Sequence, residues 1–260
     1  MQRRKFVKSS LLAATALTAG AGSLEAAGPS ASQKAMLEWR EYEMHFGTSE
    51  NDLHNYLQHA LIPALNRLGV KNVGVFRELS KSEPAKIYLL IAYGSPVEYF
   101  QVISKLPADS EYRKAAADYM NLPVDKVPFT RYSTKLMIAF DGLPQLAIPA
   151  AGSRVFELRT YEGANEDALR RKIKMFNEEE FTIFYRTRLN PVFFGEVISG
   201  KDMPCLTYMI SFRDMEEHDK AWAAFGSDPD WKRVSGLAEY ANSVSRIQKT
   251  FLEPLNYSQL

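Results

Sequence analysis

Apolar and polar positions alternate from Leu37 to Phe46, then switch to helical spacing at Leu53, Leu57, Ala60, Leu61, Ala64, Leu65 and Leu68. Alternation returns in Val73–Leu79 and Lys86–Tyr93, which flank the turn-rich Ser80-Lys81-Ser82-Glu83-Pro84. Period two predicts strands and the wider spacing predicts a helix. Gly47-Thr48-Ser49 breaks the first strand, Ser49 and Asp52 have capping-box spacing, and Gly69 marks the helix stop. Pro63 falls inside the helical pattern and predicts a kink. Ser95-Pro96 opens a second helix, a helical stretch runs from Asp109 to Met120, and Phe129–Phe140 reads as a closing strand.

The pattern then runs again. Glu38-Trp39-Arg40-Glu41-Tyr42 recurs as Glu157-Leu158-Arg159-Thr160-Tyr161, an offset of 157 − 38 = 119. At the same offset Ile87–Tyr93 lies over Leu206–Phe212, and Asp109-Ser110-Glu111-Tyr112 lies over Asp228-Pro229-Asp230-Trp231. Separate blocks that keep one offset indicate duplication. The second copy has a strand at Val155–Glu162, a helix at Glu166–Arg186 and a hairpin of Val192–Ile198 with Cys205–Phe212. A helix at Met215–Phe225, a helical stretch from Asp228 and a strand at Val244–Leu252 complete it. Thr130-Arg131-Tyr132 aligns with Ser245-Arg246-Ile247 at an offset of 115, so the first copy carries 119 − 115 = 4 extra residues near Asn121–Asp125.

Strand, helix, strand, strand, helix, strand is the split-βαβ order. The predicted fold class is α+β: two tandem ferredoxin-like repeats packed sheet to sheet as an intramolecular barrel. Helices cover one face of each sheet, and the tethered twin is the simplest cover for the other. A cleft between the sheets follows. The repeats are read at 36–141 and 154–258, joined by a linker at 142–153 and preceded by a polar linker at 29–35.

Residues 1–28 read as a targeting segment. Arg3-Arg4-Lys5-Phe6 resembles a twin-arginine export signal, followed by a weakly apolar stretch and the small residues Ala26-Ala27-Gly28. A periplasmic or otherwise extracytoplasmic location is therefore expected, with no membrane span in the mature chain. A formal net charge of +1 supplies no field to recruit nucleic acid. The single cysteine, Cys205, permits no internal disulfide and opens an apolar run, which suggests a buried thiol. Arg170-Arg171-Lys172 reads as a solvated helix face. His45, His54, His59 and His218 show no metal-site spacing.

Strand parity puts Glu157, Arg159 and Tyr161 on one face, and Phe156 and Leu158 on the other. The expectation is that Phe156 and Leu158 pack under helices. Glu157, Arg159 and Tyr161 then face the space between the sheets, opposite Glu38, Arg40 and Tyr42. In the first repeat Glu41 and Glu43 share a side with Leu37 and Trp39, which weakens that assignment. These six residues are the ligand-binding candidates, and no catalytic residue is assigned with them. In one reading the Glu–Arg pairs neutralise each other and lock the halves together. In the other, Arg holds an anionic or carbonyl substrate, Glu acts as a base and Tyr donates a hydrogen bond. No metal or other cofactor is predicted. Haem on one of His45, His54 or His59 is the alternative to the commoner solvated or capping histidine. Trp222, Phe225 and Trp231 read as a core stripe.

Glu157-Leu158-Arg159-Thr160-Tyr161, Pro191-Val192, Ala221-Trp222-Ala223-Ala224-Phe225 and Asp228-Pro229-Asp230-Trp231 together resemble the NIPSNAP family. The first repeat is similar but degenerate, with Asp109-Ser110-Glu111-Tyr112 in place of the last block. The resemblance implies a ferredoxin-like fold of the dimeric α/β-barrel type and names no agreed catalytic residues. The leading expectation is an exported protein that binds a small-molecule ligand or a protein partner at the inter-repeat cleft. The alternative is a barrel enzyme, a monooxygenase or isomerase, acting on an aromatic or apolar carbonyl compound. A homo-oligomer stays open.

Overall fold

A computed structural model describes residues 33–80, 83–152 and 155–260. The segment read as an export signal lies outside the described residues. In the first repeat β1 (Met36–Met44), β2 (Gly74–Glu78), β3 (Lys86–Tyr93) and β4 (Phe129–Ala139) form one half of the sheet. In the second, β5 (Val155–Glu162), β6 (Asn190–Ser199), β7 (Cys205–Phe212) and β8 (Arg246–Pro254) form the other. All eight join antiparallel in a closed barrel of order β1-β3-β2-β8-β5-β7-β6-β4. Each repeat keeps the split-βαβ order, and two seams close the ring. At one, Phe76, Arg77 and Glu78 pair with Pro254, Glu253 and Leu252. At the other, Met137, Ile138 and Ala139 pair with Val197, Glu196 and Gly195. Gly195 is required there, because a Cβ on it would lie 2.7 Å from Met137 Cβ.

Helices lie outside the ring. The first repeat has α1 (Asn51–Tyr56), α2 (Ile62–Arg67), α3 (Pro96–Lys105), α4 (Ser110–Ala115) and α5 (Ala117–Met120). The second has α6 (Glu166–Met175), α7 (Phe181–Arg186), α8 (Met215–Ser227) and α9 (Pro229–Ser235). Side chains cap the starts of α3, α6 and α8: Ser95, Asn165 and Asp214 accept from the amides of Glu98, Ala168 and Glu217. The capping box expected at Ser49 and Asp52 does not form. Glu50 occupies the N-cap without a side-chain bond, and Ser49 Oγ accepts from the Asn51 amide at 3.2 Å.

A π turn, Leu57–Leu61, joins α1 to α2 just before Pro63, where the sequence predicts a kink. Proline is not its cause. Phe176–Glu180 joins α6 to α7 in the same way, 119 residues on, and Thr182 stands where the first repeat has Pro63. The duplicated turn therefore belongs to the repeat unit.

The strand faces are the reverse of the expectation. Leu37, Trp39, Phe156, Phe193, Met209 and Leu252 fill the barrel interior. Tyr42 and Tyr161 instead pack in the two separate clusters under the helix layers. Alternation correctly groups the residues that share a face. It cannot say which face is inside when both are buried. A closed ring excludes water, so the fully apolar set goes inward, and the polar set goes where helix side chains can bond it. Glu41 and Glu43 stop conflicting with Leu37 and Trp39 once placed: they sit at the end of the barrel, where Glu41 pairs with Lys86 at 2.8 Å. The predicted cleft between the sheets is accordingly packed with side chains. A polar mouth of about 260 Å³, bounded by Lys86, Lys135, Thr160 and Gln248 among others, opens at that end.

Candidate functional site

The two Glu-Arg-Tyr sets do not meet. Each lies between its own half of the sheet and its own helices. Glu38 accepts from Arg40 Nε and from the Tyr93 hydroxyl at 2.8 Å. Glu157, 1 % exposed, accepts from Arg159 Nη1 at 3.0 Å and from the Trp222 indole at 2.8 Å, with His218 Nε2 3.3 Å away. Neither pair locks the halves together. Each glutamate is already engaged by donors of its own repeat, so neither is a free base; its role is to hold the arginine in one conformer.

What surrounds the two arginines differs. In the first repeat Arg40 sits under Tyr132, 5.7 Å from the ring centre. Stacked Tyr56 and Tyr119, with Tyr112 bonded to Tyr56, fill the neighbouring space. In the second repeat the matching space is a cavity of about 420 Å³. Its walls include Trp222, Trp231, Phe184 and Phe225, and Arg159, Lys172 and Glu180 also line it. This size and mixture suits a small organic ligand. Applying the repeat offset explains the opening: Ile247 stands where the first repeat has Tyr132, and Val244 where it has Phe129.

Arg159 lies flat against Trp222, 4.5 Å from its ring centre, and near Tyr161 at 5.5 Å. Its Nε is buried and has no hydrogen-bond partner. Burial works to weaken its charge, but its surroundings, with the Glu157 carboxylate among them, outweigh burial and hold the guanidinium above its ordinary pKa. The site therefore presents a fixed cation. Burial also raises the Tyr161 hydroxyl, which pairs with the Tyr208 hydroxyl at 3.0 Å, so both stay protonated.

Lys172 and Glu180, 5 % and 2 % exposed, form a hydrogen-bonded ion pair at the cavity wall. The Lys172 ammonium also lies 4.5 Å from the Phe176 ring centre and 5.7 Å from that of Trp231. Burial raises the Glu180 pKa against the opposing pull of Lys172. The sequence reading missed this pair and assigned Lys172 to a solvated face. The signal lay in the offset: the twins of Lys172 and Glu180 are Leu53 and Leu61, both on the apolar stripe. Trp222 and Trp231, read as core stripe, form cavity wall as well as core.

The histidines weighed as haem ligands are elsewhere. His54 bonds Tyr257 at 2.6 Å and Glu50 at 2.9 Å, His45 contacts Thr130 at 3.2 Å, and His59 is exposed on the first repeat. Cys205 is buried, which pushes its thiol up to about 11. A larger surface groove of about 610 Å³ runs beside Arg186, Arg213 and Lys220. Those three charges are paired with Asp228, Glu217 and Glu216, and exposed Arg188 also lines the groove.

Comparison with solved structures bears out the fold. A candidate monooxygenase from Fusobacterium nucleatum superposes with a TM-score of 0.54 at 10 % identity, covering 86 % of this chain and 94 % of its own. A second candidate monooxygenase, from Lactobacillus acidophilus, gives 0.53 at 12 % identity, covering 85 % and 94 %. An anthrone oxidase-like protein gives 0.50 at 9 % identity over 87 % and 93 %. At such identities the likeness is one of fold alone. No curated protein matches the chain in sequence. Residues 156–259, the repeat that holds the cavity, match the NIPSNAP family model.

Proposed function

We propose that the chain binds a planar, anionic small molecule in the cavity of the second repeat. The observation that carries this is the Arg159 cation in the wall of an aromatic-walled space whose twin is filled by tyrosines. A ligand carboxylate or enolate oxygen would pair with that cation. Flat aromatic walls favour a flat, unsaturated ligand body. The site lies on the helix side of the sheet, not in the inter-repeat space.

Naphthalene and 1-naphthoate test this as a matched pair, since they share a shape and differ by one charge. Trp222 and Trp231 line the cavity, so their fluorescence reports occupancy. Saturable quenching by 1-naphthoate, at least ten times tighter than by naphthalene, is the expected result. Arg159→Gln retains a donor for Glu157 but removes the cation. It should abolish the preference for the acid, a change of about 1.4 kcal/mol per tenfold. Equal affinity for both probes, or an unchanged preference in Arg159→Gln, would remove the anion from the reading.

A further inference from the structure

The duplication supplies an internal control. Positions that the repeat needs for its fold recur: Arg67–Asp109 at 2.7 Å has its twin in Arg186–Asp228 at 2.8 Å, and both π turns are retained. Lys172 and Glu180 do not recur. The first repeat folds through the same α–π–α helix with Leu53 and Leu61, 0 % and 1 % exposed, at those positions. The fold thus has no need of an ion pair there. A buried pair is often no more stabilising than well-packed apolar residues, so stability does not account for it. The pair lies in the wall of the one cavity that the second repeat opens and the first fills.

Resting on the ligand reading above, we propose that Lys172 and Glu180 are an acid–base pair that interconverts the keto and enol forms of an aryl-substituted 2-oxo acid. Glu180 takes a proton from the carbon next to the carbonyl. The C–H electron pair becomes the new C=C bond, and the carbonyl π pair moves onto oxygen. The Arg159 guanidinium, which lines the cavity, donates to that oxygen as its charge develops. Lys172 delivers a proton to the oxygen, giving the enol. The proton on Glu180 then passes to Lys172 along their existing hydrogen bond, which restores both groups. No oxidant, reductant or second substrate enters, and the reverse sequence is the same path. The aromatic walls accept the aryl ring and keep it coplanar with the forming double bond.

Phenylpyruvate in D₂O is the probe, with loss of its C3 proton signal followed by NMR and occupancy followed by tryptophan quenching in the same sample. The expected result is exchange at least ~100-fold faster than in buffer alone, in the range that positioned acid–base groups supply. The variant is the double substitution Lys172→Leu with Glu180→Leu, which copies the first repeat and is therefore expected to fold. It should still quench with phenylpyruvate while exchange falls to the buffer rate. Saturable quenching without faster exchange in the native chain overturns the acid–base assignment and leaves the binding reading intact. Exchange that survives in the double variant overturns it too. Absence of quenching by both phenylpyruvate and 1-naphthoate overturns the binding reading and this inference together.

Discussion

Arg159 and Lys172 are both cations on the wall of one cavity, yet they relate differently to the fold. Arg159 has a twin in Arg40, and each is held by a glutamate two residues earlier. Lys172 has no charged twin. This predicts an asymmetric response to mutation. Glu180→Leu alone leaves the Lys172 ammonium buried without its counter-charge and should destabilise by about 3–5 kcal/mol. Adding Lys172→Leu should bring stability back to within about 1 kcal/mol of the native chain, or above it. Urea denaturation of the two variants measures the difference. Equal losses in both would mean that the ion pair carries packing that Leu53 and Leu61 do not reproduce. Alternation and repetition grouped Glu38, Arg40 and Tyr42, and Glu157, Arg159 and Tyr161, on common faces, but did not show their partners. Trp222, His218 and Tyr93 reach Glu157 and Glu38 from other elements, and such contacts are fixed by tertiary packing.

Each repeat also has an acid-sensitive clamp at the start of a short helix. Asp109 Oδ1 accepts from the Tyr112 amide at 2.9 Å, and Arg67 Nη2 donates to Oδ2 at 2.7 Å. Asp228 Oδ1 accepts from the Asp230 amide at 2.9 Å, and Arg186 holds both carboxylate oxygens. The backbone amide of Tyr112 and then Arg67 lower the Asp109 pKa, while Arg186 is the leading cause for Asp228. A carboxylate with a lowered folded pKa adds stability above its unfolded pKa and loses it as pH falls through the folded one. With an ordinary value of 3.8, the clamps hold at neutral pH and release only below it. Asn in place of Asp keeps the capping oxygen and removes the charge. The Asp109→Asn, Asp228→Asn double variant should therefore have a lower Tm at neutral pH and a flatter Tm–pH curve on the acid side. An acid limb as steep as the native one would assign the pH dependence to other carboxylates. At this scale the sequence was most readable. Lys86–Tyr93, Val155–Glu162 and Cys205–Phe212 fall where alternation puts them. The faces were misread because a strand between a closed interior and a helix layer has no solvent side to set its sign.

Closure of the ring is a property of the whole described chain. Tandem split-βαβ units already implied that the two sheets cover one another. The seams were not legible, because a few backbone pairs between β2 and β8, and between β4 and β6, have no side-chain signature. Their consequence is testable on the second repeat alone. Residues 155–260 by themselves would expose the edges of β6 and β8, which pair with β4 and β2 in the intact chain. They would also expose Phe156, Phe193, Met209 and Leu252, all buried in the shared interior. Unpaired edges and a bare apolar sheet face drive association. Two copies related by a twofold axis satisfy both, because β6 of each can lie against β8 of the other, just as β4 covers β6 and β2 covers β8 here. The isolated repeat should therefore run as a homodimer in light scattering. A charge at the interior, Met209→Asp, should abolish that dimer while an exposed Lys220→Asp leaves it formed. A stable monomer with native-like circular dichroism would show that one repeat completes its own core and that the seams only tether two independent domains.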